Sequence, residues 1–177
     1  MKILVTGGAG FIGSNVTRML ADLGYQVVVL DNLSHGHKDK VDSRAKLIIS
    51  DIANSQRVKE ALTGIDAVIH MAGLIIVPES VKEPGKYCEN NILGTVSLLQ
   101  SMKDVGVKKI IFSSSACVYG AAKKLPITED APLAPDNPYG ATKASIEAFL
   151  ESYHATDNFD VTILRYFNPY GPGELHK

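Results

Sequence analysis

The chain has 177 residues, 45% of them hydrophobic and 21% charged, with a formal net charge of -1 at pH 7. That length suits one ordinary domain with a real core, and the small, dispersed charge excludes the basic footprint of a nucleic-acid binder. Cys88 and Cys117 form neither a disulfide framework nor a metal motif, and no apolar run is long enough to span a bilayer. The start carries one lysine and then a short apolar run, which reads as a strand rather than a signal peptide, so the cytoplasm is the default compartment.

The first element is a strand over Ile3 to Val5. It runs into glycines and then into an apolar-periodic helix through Phe11, Ile12, Val16, Met19, Leu20 and Leu23. Gly8, Gly10 and Gly13 match G-x-G-x-x-G in that strand–turn–helix context. The expectation is that Gly8 supplies the turn, Gly10 lets backbone approach a pyrophosphate, and Gly13 lets helix and strand pack closely. The N–H groups at the helix start then face the anion.

A second strand, Val27 to Leu30, ends at Asp31-Asn32. Asp31 lies 18 residues beyond Gly13, where a carboxylate would accept from a ribose diol and repel a 2'-phosphate, favouring NAD over NADP. Residues 33–45 read as a polar loop with at most a turn of helix. A third strand spans Ala45 to Ser50. Asp51 after it is expected to cap the next helix, Ser55 to Leu62, or to bond an adenine edge. Ala67 to His70 is the fourth strand. His70 reads as a packed histidine, and the small residues Ala72 and Gly73 allow close passage of backbone.

Pro78, Pro84 and Gly85 break up the next segment. Asn90-Asn91 precede a periodic helix ended by Gly106, and Val107 to Phe112 form a fifth strand leading into Ser113-Ser-Ser115. A proline-rich loop follows. Asn137-Pro138 then start a helix carrying Tyr139 and Lys143, and Phe159 to Leu164 make a sixth strand. Six strands alternating with helices predict an α/β fold: a doubly wound, Rossmann-type parallel sheet with helices on both faces and strand order 3-2-1-4-5-6. The carboxyl ends of the strands gather Gly8, Asp31, Asp51, Ala72, Ser115 and Asn168.

Tyr139 and Lys143 stand one turn apart on one helix face, behind a serine-tipped strand. Taking a hydride from a carbinol carbon needs a base for the hydroxyl proton, and a free tyrosine, with a pKa of about 10, is a poor one at neutral pH. A nearby ammonium and the positive nicotinamide of NAD would favour the phenolate. Ser115 can hold the substrate oxygen or relay the proton.

Thr6-Gly-Gly-Ala-Gly-Phe-Ile-Gly13, Asp31-Asn-Leu33, His70-Met-Ala-Gly73, Phe112-Ser-Ser-Ser-Ala-Cys-Val-Tyr-Gly120, Tyr139-Gly-Ala-Thr-Lys143 and Arg165-Tyr-Phe-Asn168 resemble, in order, the extended short-chain dehydrogenases, and most closely their UDP-glucose 4-epimerase subgroup. The resemblance implies a catalytic set of Ser115, Tyr139 and Lys143, with Ser114 as the register alternative to Ser115. It implies that Gly7, Gly10, Phe11, Ile12, Gly13, Asp31, Asn32, Asp51, Ile52, Ala72, Gly73, Asn90, Lys143 and Tyr166 lie along NAD. Ser115, Tyr139 and Asn168 would meet the UDP-sugar, and no metal is implied. The implied reaction takes the 4-OH proton, passes the C4 hydride to NAD, turns the 4-keto sugar over and returns hydride to its other face.

Two departures stand out. Ile75 occupies a position where such epimerases often have a lysine. The chain also stops just after the sixth strand, whereas family members are about twice as long, so residues 1–177 are expected to be an NAD-binding domain largely lacking the C-terminal substrate domain. Full-length relatives commonly form homodimers through two helices that would be about 89–104 and 138–156 here, and the apolar stripes of these helices suit either that pairing or packing within the core.

Overall fold

The computed structural model describes residues 1–173. It contains a six-stranded, all-parallel sheet of order β3-β2-β1-β4-β5-β6, the order expected from the sequence. The strands are β1 (Lys2–Thr6), β2 (Gln26–Asp31), β3 (Lys46–Ile49), β4 (Ala67–His70), β5 (Lys109–Ser115) and β6 (Asp160–Tyr166). Strands β1, β2 and β4 are buried nearly end to end, as expected when both faces of a parallel sheet are covered, whereas β5 alternates between buried and half-buried residues and β3 and β6 at the edges are only partly buried. Register places Val5 of β1 between Val29 and Ile69.

The helices are α1 (Phe11–Asp22), α2 (Ser55–Ala61), α3 (Val77–Lys82), α4 (Pro84–Tyr87), α5 (Gly94–Val105) and α6 (Pro138–Asp157). Leu4, Leu30, Val68, Ile110 and Phe112 meet Val58 of α2, Leu98 and Met102 of α5, and Ile146 and Leu150 of α6 in the larger core. The opposite face packs Val5, Val29 and Ile69 against Val16 and Leu20 of α1. Among the described residues the two faces are therefore covered unequally. Leu164 on β6 is 39% exposed, beside the half-buried Ser113 and Ile111 of β5. No helix among the described residues is long and apolar enough to cross a membrane.

Several local expectations are corrected. The side-chain cap of α2 is Asn54, which accepts from the Arg57 N–H, not Asp51. Asp51 lies a turn earlier and accepts from the Ala53 N–H. The segment broken by Pro78 and Pro84 is helical, because both prolines fall in first turns, where their missing N–H has no partner to lose. Helical structure then continues from Pro84 to Val105 through a π-helical stretch at Cys88–Leu93. The fifth strand starts later and runs through all three serines, so their side chains alternate between faces. Asn137 caps α6 as expected, accepting from the Gly140 N–H at 2.8 Å.

Candidate active site

The positive φ of the first turn, +70°, belongs to Gly7, not Gly8. A Cβ on Gly7 would lie 2.6 Å from the Ala72 N, so the turns after β1 and β4 touch backbone to backbone. Gly8 has a different task. A Cβ there would meet the Val29 side chain at 2.8 Å, so its smallness seats the turn on β2. Gly13 acts as expected: a Cβ there would lie 2.2 Å from the Gly7 carbonyl oxygen. Gly10 is the extended N-cap of α1 and offers no side chain to the helix start, and no acidic residue sits in the first turn. The N–H groups of Phe11 and Ile12, at the positive end of a three-turn helix, are thus left to an outside anion. This glycine-closed cradle fits a dinucleotide pyrophosphate.

Asp31, buried at the end of β2, accepts from the Ala9 N–H at 3.0 Å and the Leu33 N–H at 2.8 Å. Its carboxylate thereby ties the glycine turn to the loop after β2. Asn32 donates to Asp51 at 2.8 Å, joining the ends of β2 and β3. Ile52 is buried against Gly94, where a Cβ would come within 2.8 Å of its side chain.

The turn after β4 is held by a chain of hydrogen bonds. Thr95 donates its one hydroxyl proton to the Asn91 carbonyl at 2.6 Å, so His70 Nε2 must donate to Thr95 Oγ1 at 2.8 Å. His70 Nδ1 then accepts from Thr6 Oγ1 at 2.7 Å, which itself accepts from the Met71 and Ala72 N–H groups. Burial, with Lys143 nearby, pulls His70 down to about 3, so it is neutral and structural. Asn91 is buried in the π-helical stretch. It brackets Leu74 through that residue's N–H and carbonyl and donates to Thr142 of α6. The neighbouring Asn90 is half-buried and stands beside this clamp. Gly73 lies next to it, 3.3 Å from Asn91 and 3.8 Å from the Lys143 ammonium when a Cβ is built there. The sequence signal for the clamp was available: Asn91 and Thr95 lie one turn apart on a helix face that is otherwise apolar.

Ser115, Tyr139 and Lys143 are all buried where β5 meets α6. Ser115 Oγ accepts from the Cys117 N–H at 3.2 Å, capping the short 3-10 turn at Ala116–Tyr119. A Cβ on Gly140 would lie 2.5 Å from the Cys117 carbonyl, so only glycine after Tyr139 lets α6 dock this closely on that turn. Ser114, on the alternate strand face, donates to Glu147 and is thereby occupied. Lys143 Nζ donates to the Ser113 carbonyl at 2.7 Å and sits 4.8 Å from the Phe112 ring centre and 5.9 Å from that of Tyr139.

Burial pulls Lys143 down to about 8, against an upward push from Glu147. Burial raises Tyr139, and the Ser115 hydroxyl acts the other way. The expectation joined the lysine's charge to that of bound NAD, and in the chain alone burial is the largest influence on the phenol. Tyr166, half-buried, pairs with Ser115 across the β5–β6 ladder, and burial raises its phenol. Asn168 lies exposed just beyond β6.

A parallel sheet in this order, with a glycine-closed first turn and polar groups gathered at its carboxyl edge, is a Rossmann-type domain. The chain belongs to the NAD dependent epimerase/dehydratase family, whose profile matches residues 3–177. It is 51% identical over 173 residues to the UDP-glucose 4-epimerase of Lactobacillus helveticus, covering 97% of this chain and 52% of that protein. The crystal structure of Brucella ovis UDP-glucose 4-epimerase in complex with NAD superposes with a TM-score of 0.92 at 43% identity, over 94% of this chain and 52% of that one. The UDP-N-acetylglucosamine 4-epimerase of Methanobrevibacter ruminantium, at 39% identity, gives a TM-score of 0.91 over 97% of this chain and 56% of that one. The chain spans about half the length of the curated relatives it matches.

Proposed function

We propose that this chain is the NAD-binding, base-bearing half of a nucleotide-sugar 4-epimerase that interconverts UDP-glucose and UDP-galactose. The observation that carries the reading is the burial of Ser115, Tyr139 and Lys143 together at the carboxyl end of β5, on the sheet edge that also holds the glycine cradle. In this reading Gly10, Phe11, Ile12 and Gly13 hold the pyrophosphate, Asp31, Asn32, Asp51 and Ile52 the adenosine, and Ala72, Gly73, Asn90, Lys143 and Tyr166 the nicotinamide half.

Bound NAD supplies a hydride acceptor for the sugar C4 and a donor for its return. Tyr139 takes the proton of the 4-OH and gives it back, Ser115 holds the 4-oxygen, and Lys143 favours the phenolate by its charge. Asn168 reaches the sugar nucleotide. Asp31 would repel a 2'-phosphate, which favours NAD over NADP. Ala116 and Cys117, beside Ser115, bring no acid for the extra proton transfers of a dehydratase. Ile75, two residues beyond Gly73 and 66% exposed, supports a second reading in which the epimerised sugar is a uronic acid or an N-acetylhexosamine. The complete enzyme is proposed to be a cytoplasmic homodimer whose C-terminal domain grips the UDP-sugar, so turnover by residues 1–177 is poor.

The test is incubation of the chain, and of a version extended to family length, with NAD and a panel of UDP-sugars, followed by product analysis. The extended form should give 4-epimers far faster. In that form Tyr139→Phe should keep NAD and lose about 100-fold or more in rate. A parent-like rate in Tyr139→Phe would show that this phenol is not the base.

A further inference from the structure

Tyr139, Lys143 and Glu147 stand at successive turns of α6, and all three are buried on the face turned to β5. The first two belong to the proposed chemistry, whereas Glu147 has no part in it. Only 1% of Glu147 is exposed. Its carboxylate accepts from Ser114 Oγ and, in a two-pronged pair, from Arg165 Nη2 at 2.7 Å and Arg165 Nε at 3.1 and 3.2 Å. Arg165 also donates to Tyr119 Oη at 2.7 Å and to the Glu129 carbonyl at 3.2 Å. A buried carboxylate and its guanidinium are costly to desolvate, so a pair kept beneath a reaction site calls for an account.

The groups around Lys143 supply one. On α6 itself they are Tyr139, a phenol that burial keeps protonated, and Glu147. From β4 comes His70, neutral and hydrogen-bonded at both nitrogens. From β5 come only the Ser113 carbonyl and the Phe112 ring. The 3-10 turn brings Cys117 near Tyr139, and β6 contributes Arg165 through its pair with Glu147. Among the described residues Glu147 is thus the anion whose charge supports the buried ammonium.

We propose that Glu147 is a positioning residue that keeps Lys143 in its ammonium form beside Tyr139, and that Arg165 sets how much of the Glu147 charge Lys143 feels. The inference rests on the epimerase reading only for the role of Lys143, and its electrostatics stand apart from it.

The two partners must act on Lys143 with opposite sign. Removing the Glu147 charge leaves Arg165 positive beneath the ammonium, whereas removing Arg165 leaves Glu147 uncompensated. The experiment is an NMR titration of the chain labelled with carbon-13 at lysine Cε, with the Lys143 signal assigned by its loss in Lys143→Met. It requires neither dinucleotide nor sugar, so the epimerase reading can fail without affecting it. The parent midpoint should lie near 8. Glu147→Gln should lower it by about one to two pH units, the size expected for one charge a helical turn away. Arg165→Met should raise it by about one unit, and Arg165→Lys, which keeps the charge, should restore the parent value.

A merely structural ion pair would lower stability in every variant and leave the midpoint in place. Midpoints that stay put, or that move the same way in Glu147→Gln and Arg165→Met, overturn the proposal. Should Glu147→Gln not fold, Arg165→Met is compared with the double variant Glu147→Gln/Arg165→Met. The midpoint must then be lower in the double variant, and an unchanged midpoint refutes the role.

Discussion

Replacing Lys143 by Met should make the chain more stable at neutral pH while removing a group the proposed chemistry needs. Lys143 is 3% exposed, and burial pulls it from 10.5 to about 8. At about 1.4 kcal/mol per unit, holding the ammonium in the folded state at neutral pH costs about 3 kcal/mol. The unfolded chain keeps this proton up to 10.5, while the folded chain releases it near 8. Between those values the unfolded state binds more protons, so the parent gains stability as pH rises through the window. The variant lacks that gain. Its advantage over the parent should therefore shrink by about 2.5 kcal/mol from about pH 7 to about pH 10, measured by urea unfolding of both. The lost bond to the Ser113 carbonyl offsets the whole difference by about 1 kcal/mol without changing its dependence on pH. A stability difference that is flat across this range would refute the claim that Lys143 is charged at a cost.

Three further expectations follow from the same geometry. His70 is ordinarily protonated near 6.5 but is held at about 3 by burial, so its contribution is present above 6.5 and is lost as pH falls toward 3. Acid unfolding should show a slope of about 1.4 kcal/mol per pH unit from this group, absent in His70→Asn, and equal slopes would contradict its neutral burial. Gly13→Ala should cost several kcal/mol in urea and abolish dinucleotide binding, because its Cβ meets the Gly7 carbonyl at 2.2 Å. Gly24→Ala, with φ +82° and open space around it, should cost only about 1 kcal/mol, so comparable losses in the two would show that contact at Gly13 is not the cause. Asp31→Asn should weaken NAD about 10- to 100-fold by titration calorimetry, the range for a charged hydrogen bond, and unchanged affinity would remove Asp31 from the ribose site.

The strand order and the convergence of Asp31, Asp51, Ala72 and Ser115 on one sheet edge were legible in the sequence. Buried parallel strands read as short apolar runs, and helices as a 3.6-residue period, whatever lies beyond them. Helix α6 was legible from Asn137-Pro138, because a cap is local chemistry. Local rules misled where two signals compete. Pro78 and Pro84 looked like breakers but open helices, and Asp51 looked like a cap although Asn54 takes that position.

The sequence by itself determined the order of the elements, the glycine turn and the spacing of Tyr139 and Lys143, because each depends on residues a few positions apart. The tertiary structure alone decided which of two adjacent groups does which task. Gly7 rather than Gly8 takes the positive φ, where the turn after β4 leaves no room for a Cβ, and Ser114 is taken by Glu147 while Ser115 remains at the phenol. Asn91 becomes a clamp only because the segment after β4 and α6 both meet it, and Glu147 meets Arg165 only because β6 lies beside β5 and both pack under α6. Hydrogen bonds and charges act across space, between residues far apart in the chain, and no local pattern records those distances.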